Sequence, residues 1–282
     1  MEPFTLRNKQ FFNLELWEQQ FPKLIAGFTT KNGGKSKGDY ASLNMAFHVN
    51  DQKEIVVANR IEVAQNLTIP LEQWVGAEQT HKVNIVEVTK AHIGKGATDY
   101  ESALKDTDGF FTLEKNILLT LCFADCVPLY FIHPTTKAIG IAHAGWQGTV
   151  QGIASEMLKV FASHKIPVEE VLAVIGPSIT DRHYIVDDRV INEVEKVIHS
   201  KQKPYDTVSP GQYSLNLQEV NKQILLEEGM VASNIHITNY CTYEDDAYFF
   251  SHRRDKGKTG RMMSYIGWRE EEEYENVSER KS

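Results

Sequence analysis

The chain has 282 residues, of which 41% are hydrophobic and 24% are charged, and its formal net charge is −8. This length and composition fit one large globular domain, or two closely joined halves, with enough apolar side chains for a sizeable core. The negative charge disfavours general binding to nucleic acid, which usually needs a strongly basic protein, but allows a local basic site for a small anion.

The sequence also limits where the protein is expected to act. No apolar run approaches the ~18 residues that a membrane span needs. The first residues, MEPFTLRNKQFF, lack the apolar region of a signal peptide. We therefore expect a cytoplasmic protein that is not bound to a membrane. Three cysteines are an odd number in so long a chain, so reduced thiols are expected rather than a disulfide framework.

The first half of the chain predicts a loop, a helix and several strands. Residues 29–44 are rich in Gly, Lys, Ser and Asn and are predicted to form a loop. Asp51 and Glu54 fit a capping box, and the apolar spacing after them predicts a helix. Residues 74–88 predict a strand, a tight polar turn and a second strand. Residues 116–123, NILLTLCF, predict a strand that is buried on both faces.

The second half predicts strands and helices in irregular order. The predicted strands are residues 129–133, 138–143, 171–176 and 234–239. The predicted helices are residues 149–164, 186–200 and 216–229, the last with Asn216 and Glu219 as its cap pair and Gly229 as its end. Because strands and helices do not alternate strictly, the predicted fold class is α+β, with mixed β-sheets packed with helices.

One predicted hairpin places a cysteine near a histidine. The strands LYFIH and AIGIAH are joined by the four-residue turn PTTK. This register pairs His133 with Ala138 and, further along, places His143 beside Pro128. Pro128 is expected to end the ladder because it has no N–H group. Cys126 lies two residues beyond, an offset of about 7 Å, so both side chains can reach one ion or one substrate.

His81, in the polar turn GAEQTHKV, is the candidate third ligand. Two histidines and one cysteine form the ligand set of a catalytic zinc with an open fourth position. The three residues lie far apart in the sequence, so no local motif supports the site. The alternative is that none of the three is a ligand. Cys126 would then be a small buried side chain, His143 would form a hydrogen bond to a carbonyl, and His81 would be an ordinary polar residue of a loop. The residues alone leave both interpretations open.

The segment FFSHRRDKGKTGR, residues 249–261, carries five basic residues around two glycines. It is either a solvated basic loop or an anion site, because arginine forks bind phosphate bidentately. Asp125 and Asp108 are carboxylates near the predicted metal. Each is a candidate general acid or base, or a residue that orients a histidine.

Six motifs occur along the chain in the order typical of one family: EQTH, DTDG, ADCVP, HAGWQG, IGPSI and SHRRDKGKTGR. On these motifs the chain resembles the YfiH-like family, long labelled multicopper polyphenol oxidases or laccase-like proteins. The resemblance covers roughly residues 20–268. It implies a single catalytic domain, residues 1–268. The charged composition of residues 269–282 separately predicts an acidic flexible tail. The resemblance also implies an α+β fold related to the catalytic domain of cytotoxic necrotizing factor.

The resemblance implies a zinc ion, rather than copper, held by His81, Cys126 and His143. The implied activity is phosphorolysis of adenosine, inosine, guanosine and methylthioadenosine to the base and pentose 1-phosphate, with deamination of adenosine as a second reaction. The implied partners are purine nucleosides and inorganic phosphate. Lys31 departs from the family pattern, which has arginine there.

We expect the three metal ligands and Asp125 to form the catalytic group. The predicted substrate and phosphate contacts are Arg60, Arg253, Arg254, Arg261 and Asn44. The protein is expected to be a monomer or a small homo-oligomer.

Three other functions remain open at this point. A multicopper oxidase needs many clustered histidines, whereas this chain has ten in total and no His-x-His pair. A metal-free cysteine hydrolase would use Cys126 as nucleophile and His143 as base. A binding or assembly protein without enzymatic activity is the third.

Overall fold

The computed structural model describes residues 1–270, so the predicted tail falls almost entirely outside the described part of the chain. The strands are β1 (Thr5–Asn8), β2 (Phe11–Asn13), β3 (Leu24–Thr29), β4 (Trp74–Gly76), β5 (Ile85–Glu87), β6 (Gly109–Thr112), β7 (Leu118–Phe123), β8 (Val127–Ile132), β9 (Ile139–Ala144), β10 (Leu172–Ile175), β11 (Ile185–Asp187), β12 (Tyr205–Ser209), β13 (Gln212–Leu215), β14 (Ile235–Ile237) and β15 (Met262–Trp268). The helices are α1 (Glu15–Glu18), α2 (Lys53–Leu67), α3 (Trp146–Gln151), α4 (Ile153–Ser163), α5 (Asp188–Val197) and α6 (Leu217–Glu227).

The strands form three sheets. The first sheet has the order β1-β2-β3-β15-β7-β4, and the second has the order β14-β10-β8-β9-β6-β5. A small third sheet has the order β11-β13-β12. Most neighbours are antiparallel, but β4 with β7, β5 with β6 and β10 with β14 are parallel. The predicted α+β class with mixed sheets is confirmed. Its relation to the cytotoxic necrotizing factor domain stays a prediction.

Side chains of the second sheet alternate between two cores, as the period of a strand requires. Tyr130 and Ile141 belong to a buried cluster that also contains residues of the first sheet. Their neighbours Phe131 and Ala142 belong to a cluster that includes Phe161 of α4, together with residues of α5 and α6. Both faces of this sheet are therefore covered, which explains why its strands are apolar at nearly every position.

The outer face of the first sheet packs against α2. Val63 and Leu67 of this helix share a buried cluster with Leu118 of β7 and Tyr265 of β15. The layers thus follow the order helix, sheet, sheet, helices. The predicted single domain of residues 1–268 remains our proposal. Within residues 1–270, no helix combines the length and the apolar character needed to cross a membrane.

The predicted hairpin register is confirmed. His133 donates its backbone N–H to the Ala138 carbonyl, and Pro128 lies opposite His143. The prediction that Pro128 ends the ladder is wrong, because the ladder continues by one further pair, Val127 with Ala144.

Three other element predictions need correction. The helix predicted at 149–164 is two helices, α3 and α4, which meet at Gly152 with a left-handed φ of 93°. The residues between β4 and β5 do not form a tight turn, because these strands lie in different sheets. Asp51 does not cap α2, since its Oδ2 instead accepts hydrogen bonds from Ser36 Oγ and Asn44 Nδ2.

Candidate metal centre

The three predicted ligands converge on one point. Candidate ligand atoms of His81, Cys126 and His143 all lie within 4.8 Å of one another. The two imidazole rings are nearly perpendicular, with centroids 4.7 Å apart. His143 belongs to β9, Cys126 directly precedes β8, and His81 lies in the loop after β4. The hairpin therefore supplies two ligands, and a crossing loop supplies the third.

The chain passes very close to these ligands at Gly145. A Cβ atom at this position would lie 3.1 Å from Cys126 Sγ and 3.2 Å from His81 Cδ2. Such contacts are tighter than most side chains tolerate, so a residue without a side chain lets the turn after β9 approach the site. The glycine of the HAGW motif thus has a steric role beside the histidine of the same motif.

A single buried carboxylate orients both histidines. Asp108 is fully buried and accepts backbone N–H bonds from Thr80, His81 and Lys82, each at 3.0 Å. Its Oδ1 also accepts a hydrogen bond from His143 Nδ1 at 2.8 Å. With Nδ1 donating to the carboxylate, Nε2 of His143 is left as the ligand atom. Asp108 therefore positions the ligands, which is one of the two roles considered for it.

Without a metal ion, Cys126 and His143 form a thiolate–imidazolium pair. Burial disfavours the Cys126 thiolate, but the charges and hydrogen bonds of His143 and His81 outweigh it and lower the pKa of Cys126 to about 6. Burial lowers the pKa of His143, whereas Cys126 and Asp108 outweigh it and raise the pKa to about 9. At neutral pH Cys126 is thus favoured as the thiolate, the form that binds a metal ion, whereas His143 releases its proton when it becomes a ligand.

The donor set fits zinc. Two imidazole nitrogens and one thiolate, with His81 exposed to the cleft, match a tetrahedral zinc site with one open position. Among residues 1–270, this is the one group of three or more such side chains placed to hold a metal ion. A multicopper oxidase requires several such groups, which the described part of the chain does not contain.

The site opens into a cleft of about 570 Å³. Its lining includes His48, Gln79, Tyr100, Cys122, Asp125, Trp146, Tyr184, Arg189, His252, Arg253 and Arg261, in addition to the three ligands. A cleft of this size is within the range of small-molecule sites. Two of the predicted arginines, Arg253 and Arg261, line the same cleft as the metal centre.

Two of the predicted contacts have other partners. Arg254 does not line the cleft, and its guanidinium donates to the carbonyls of Thr242, Tyr243 and Phe249 and pairs with Asp255. These bonds fix the conformation of the basic segment. Asn44 is also absent from the cleft wall.

The Asn44 side chain is fully buried and contacts the backbone of Arg261. Its Oδ1 accepts the backbone N–H of Arg261 at 3.0 Å, and its Nδ2 donates to Asp51. The structure thus gives Asn44 a position from which it holds Arg261 at the cleft.

Asp125 connects the metal centre to the basic segment. It precedes the ligand Cys126 and has a left-handed φ of 82°. One carboxylate oxygen accepts from Thr242 Oγ1 at 2.7 Å, and the other accepts from Ser251 Oγ and from the Arg253 backbone N–H. Both oxygens are therefore engaged, which indicates a positioning role.

Arg60 lies behind the cleft, at a small inner cavity. Its buried guanidinium donates to the carbonyls of Met45, Gly96 and Ala97 at 2.6 to 2.9 Å. It also stacks on the Phe47 ring, 4.2 Å from the ring centroid. These contacts join α2 to two loops, so the structure assigns Arg60 a structural position instead of a phosphate contact.

Arg60→Lys is expected to lower the free energy of unfolding by about 2–4 kcal/mol, because an ammonium group lacks the fork that reaches three carbonyls. Guanidinium chloride unfolding measures this change. The exposed Arg253 provides the control, since Arg253→Lys should have little effect on stability. Equal losses for the two variants would contradict the structural role of Arg60.

Several cleft residues were missed by the sequence analysis. Gln79 exchanges two hydrogen bonds with the backbone of Cys122, at 2.7 and 2.9 Å. Trp146 and Gln79 lie within the motifs HAGWQG and EQTH, which is the signal that could have found them. Arg189 and Tyr184 lie in segments without a motif of their own.

Comparison with known proteins places this geometry in a family. A family model described as multi-copper polyphenol oxidoreductase laccase matches residues 25–269. The chain is 44% identical, over 95% of its length and 98% of the relative, to a Bacillus subtilis protein named purine nucleoside phosphorylase YlmD. It is 46% identical to the protein of the same name from Geobacillus stearothermophilus, covering 89% of this chain and 92% of that relative.

Solved structures agree with this assignment. The crystal structure of YlmD from Geobacillus stearothermophilus has a TM-score of 0.93 at 43% identity, covering 96% of this chain and all of that one. A Neisseria meningitidis protein has a TM-score of 0.73 at 28% identity, covering 88% and 95% of the two chains. The predicted resemblance is therefore confirmed, and the chain belongs to the YfiH-like family, which carries the multi-copper polyphenol oxidoreductase laccase description.

Proposed function

We propose that the protein is a zinc-dependent purine nucleoside phosphorylase that also deaminates adenosine. The observation that carries the proposal is the convergence of His81, Cys126 and His143 at a cleft that Arg253 and Arg261 also line. Relatives at 44% and 46% identity bear the name purine nucleoside phosphorylase. The proposed substrates are adenosine, inosine, guanosine and methylthioadenosine, each with inorganic phosphate.

His81, Cys126 and His143 would hold the zinc ion. When bound, zinc supplies a Lewis acid and lowers the pKa of coordinated water. The residues of the chain prepare this chemistry, because Asp108 fixes the orientation of His143 and the conformation of residues 80–82. Asp125 contributes by fixing the backbone of Arg253 beside the cleft.

Phosphorolysis needs cationic groups for the attacking phosphate. The bond between C1′ and the purine nitrogen breaks with oxocarbenium character, while a phosphate oxygen forms a new bond to C1′. The guanidinium of Arg261, fixed through Asn44, and that of Arg253 are the cations that we assign to the phosphate. The products are the free purine base and pentose 1-phosphate.

The same cleft supports deamination of adenosine. This reaction adds water at C6 of the purine and releases ammonia. Known nucleobase deaminases use zinc held by histidine and cysteine ligands, the same donor types found here. The donor set of the centre is thus the observation that favours this second reaction.

The rival functions make different predictions. A copper-dependent polyphenol oxidase would oxidise phenols and contain several copper ions, whereas we expect one zinc per chain. A metal-free cysteine hydrolase would form a covalent intermediate on Cys126, whereas bound zinc should protect this thiol from alkylation. A purely binding protein would show no turnover with any nucleoside.

Incubation with inosine or adenosine, each with and without phosphate, tests the proposal. Chromatography should show hypoxanthine or adenine only when phosphate is present, and conversion of adenosine to inosine in both conditions. Protein stripped with a chelator should lose activity and regain it when zinc is restored. Base release that is independent of phosphate, or no release by the zinc-loaded protein, would contradict the phosphorylase assignment.

A further inference from the structure

The reaction cleft continues into a second depression of about 410 Å³. Four residues line both spaces: Trp146, Tyr184, Arg189 and Arg253. Beyond them, the second depression is bounded by β11, the start of α5 and the turn between β12 and β13. We call this second depression the outer groove. Its position beside the cleft means that one ligand can occupy both.

Two guanidinium groups stand at the junction. Cζ of Arg189 lies 5.3 Å from the ring centroid of Trp146, and Cζ of Arg253 lies 5.2 Å from that of Tyr184. An arginine stacked on an aromatic ring keeps its in-plane N–H groups available for an anion. Arg253 Nη1 donates to the Ile185 carbonyl at 2.9 Å and to the His183 carbonyl at 3.5 Å.

The Arg189 guanidinium is the second cation at the junction. Within residues 1–270, no hydrogen-bond acceptor and no carboxylate pairs with its side chain. Asp187 also lines the outer groove, but its Oδ1 accepts the Val190 backbone N–H as the cap of α5. Asp188 is engaged by the Tyr213 hydroxyl at 2.8 Å. Arg189 therefore brings unused donors to the junction, beside Arg253 and a carboxylate, Asp187, that caps α5.

We propose that the outer groove binds the 5′-phosphoryl group of a purine nucleoside 5′-monophosphate whose base and ribose occupy the cleft. This inference rests on the proposed function, which places the nucleoside at the metal centre. When C1′ of the ribose lies at the reaction centre, the sugar extends away from it towards C5′, which we call the 5′ arm. A phosphoryl group on that arm needs a cationic donor such as the Arg189 guanidinium, which lies where the cleft meets the outer groove.

Equilibrium binding to the zinc-loaded full-length protein tests this inference. Calorimetric titrations would use inosine 5′-monophosphate, inosine and inorganic phosphate, each alone. Inosine 5′-monophosphate should bind at least about tenfold more tightly than inosine, because charge-assisted hydrogen bonds to the phosphoryl group add to the same base and ribose contacts.

Arg189→Gln should weaken the binding of inosine 5′-monophosphate about tenfold. Inosine binding and inosine phosphorolysis should stay within about twofold of the original values. Arg189 is exposed, so the variant should fold normally. Arg7→Gln, the same change at an exposed position of β1, is the matched control and should alter neither affinity. Raising the salt concentration should weaken binding of the monophosphate more than that of inosine.

Three results would overturn the inference: no gain in affinity from the 5′-phosphoryl group, equal losses for both ligands in Arg189→Gln, or Arg189-dependent binding of free phosphate as tight as that of the monophosphate. These outcomes are separable from failure of the proposed function. Inosine phosphorolysis without Arg189-dependent binding of the monophosphate defeats the inference alone. Arg189-dependent binding of the monophosphate without any phosphorolysis defeats the proposed function alone.

Discussion

Replacing Cys126 by alanine is expected to abolish zinc binding and to lower kcat/KM for inosine phosphorolysis by about three orders of magnitude. The thiolate is the one anionic ligand among the three, and its ligand atom lies within 4.8 Å of those of His81 and His143. Two imidazoles without it leave an incomplete site for zinc. The zinc content of protein purified without added copper should fall from about one ion per chain to background.

Cys122 offers a matched control. Its thiol lines the same cleft, yet it is not part of the ligand group, and its backbone, not its side chain, makes the two short hydrogen bonds to Gln79. Cys122→Ala should therefore keep the zinc and most of the activity. Full zinc content and full activity in Cys126→Ala would show that the assigned centre is wrong. A metal-free original protein that forms a covalent intermediate on Cys126 would instead favour the cysteine hydrolase.

The hairpin illustrates what the sequence can predict. A four-residue turn between two apolar strands fixes the register of every pair that follows, so the approach of Cys126 and His143 follows from local pattern alone. His81 is different, because its loop crosses between the two large sheets and its position depends on Asp108, far along the chain. Its polar turn makes His81 a candidate ligand, but the residues alone leave the ordinary loop interpretation open, and the family motifs favour the ligand.

Long-range contacts explain most of the remaining differences. Asp51 has the sequence context of a helix cap, but Ser36 and Asn44 compete successfully for its carboxylate. Arg60 has the charge that a phosphate site needs, but it donates to three carbonyls from two separate loops and is buried among them. The β15 strand pairs with β3 near the other end of the chain, and no local signal specifies such a partner.

Asp108→Asn is expected to destabilise the protein by about 3–5 kcal/mol and to weaken zinc binding by about 10- to 100-fold. The buried carboxylate accepts three backbone N–H bonds and one bond from His143 Nδ1. An amide has only one oxygen, so its NH₂ group would face N–H donors that are left without an acceptor. The loop that carries His81 would lose its anchor, and His143 would lose the partner that fixes its tautomer.

Two measurements separate these effects. Unfolding in guanidinium chloride with a chelator present gives the loss of stability of the metal-free protein, and competition with a chromogenic chelator gives the zinc affinity. Asp106→Asn is the control, because Asp106 lies two residues away at an exposed position, where its carboxylate pairs with Lys82 and accepts the Thr80 hydroxyl but contacts neither histidine. Surface ion pairs of this kind contribute little to stability. If Asp108→Asn changed neither quantity more than Asp106→Asn does, the buried carboxylate would not be what holds the two histidines in place.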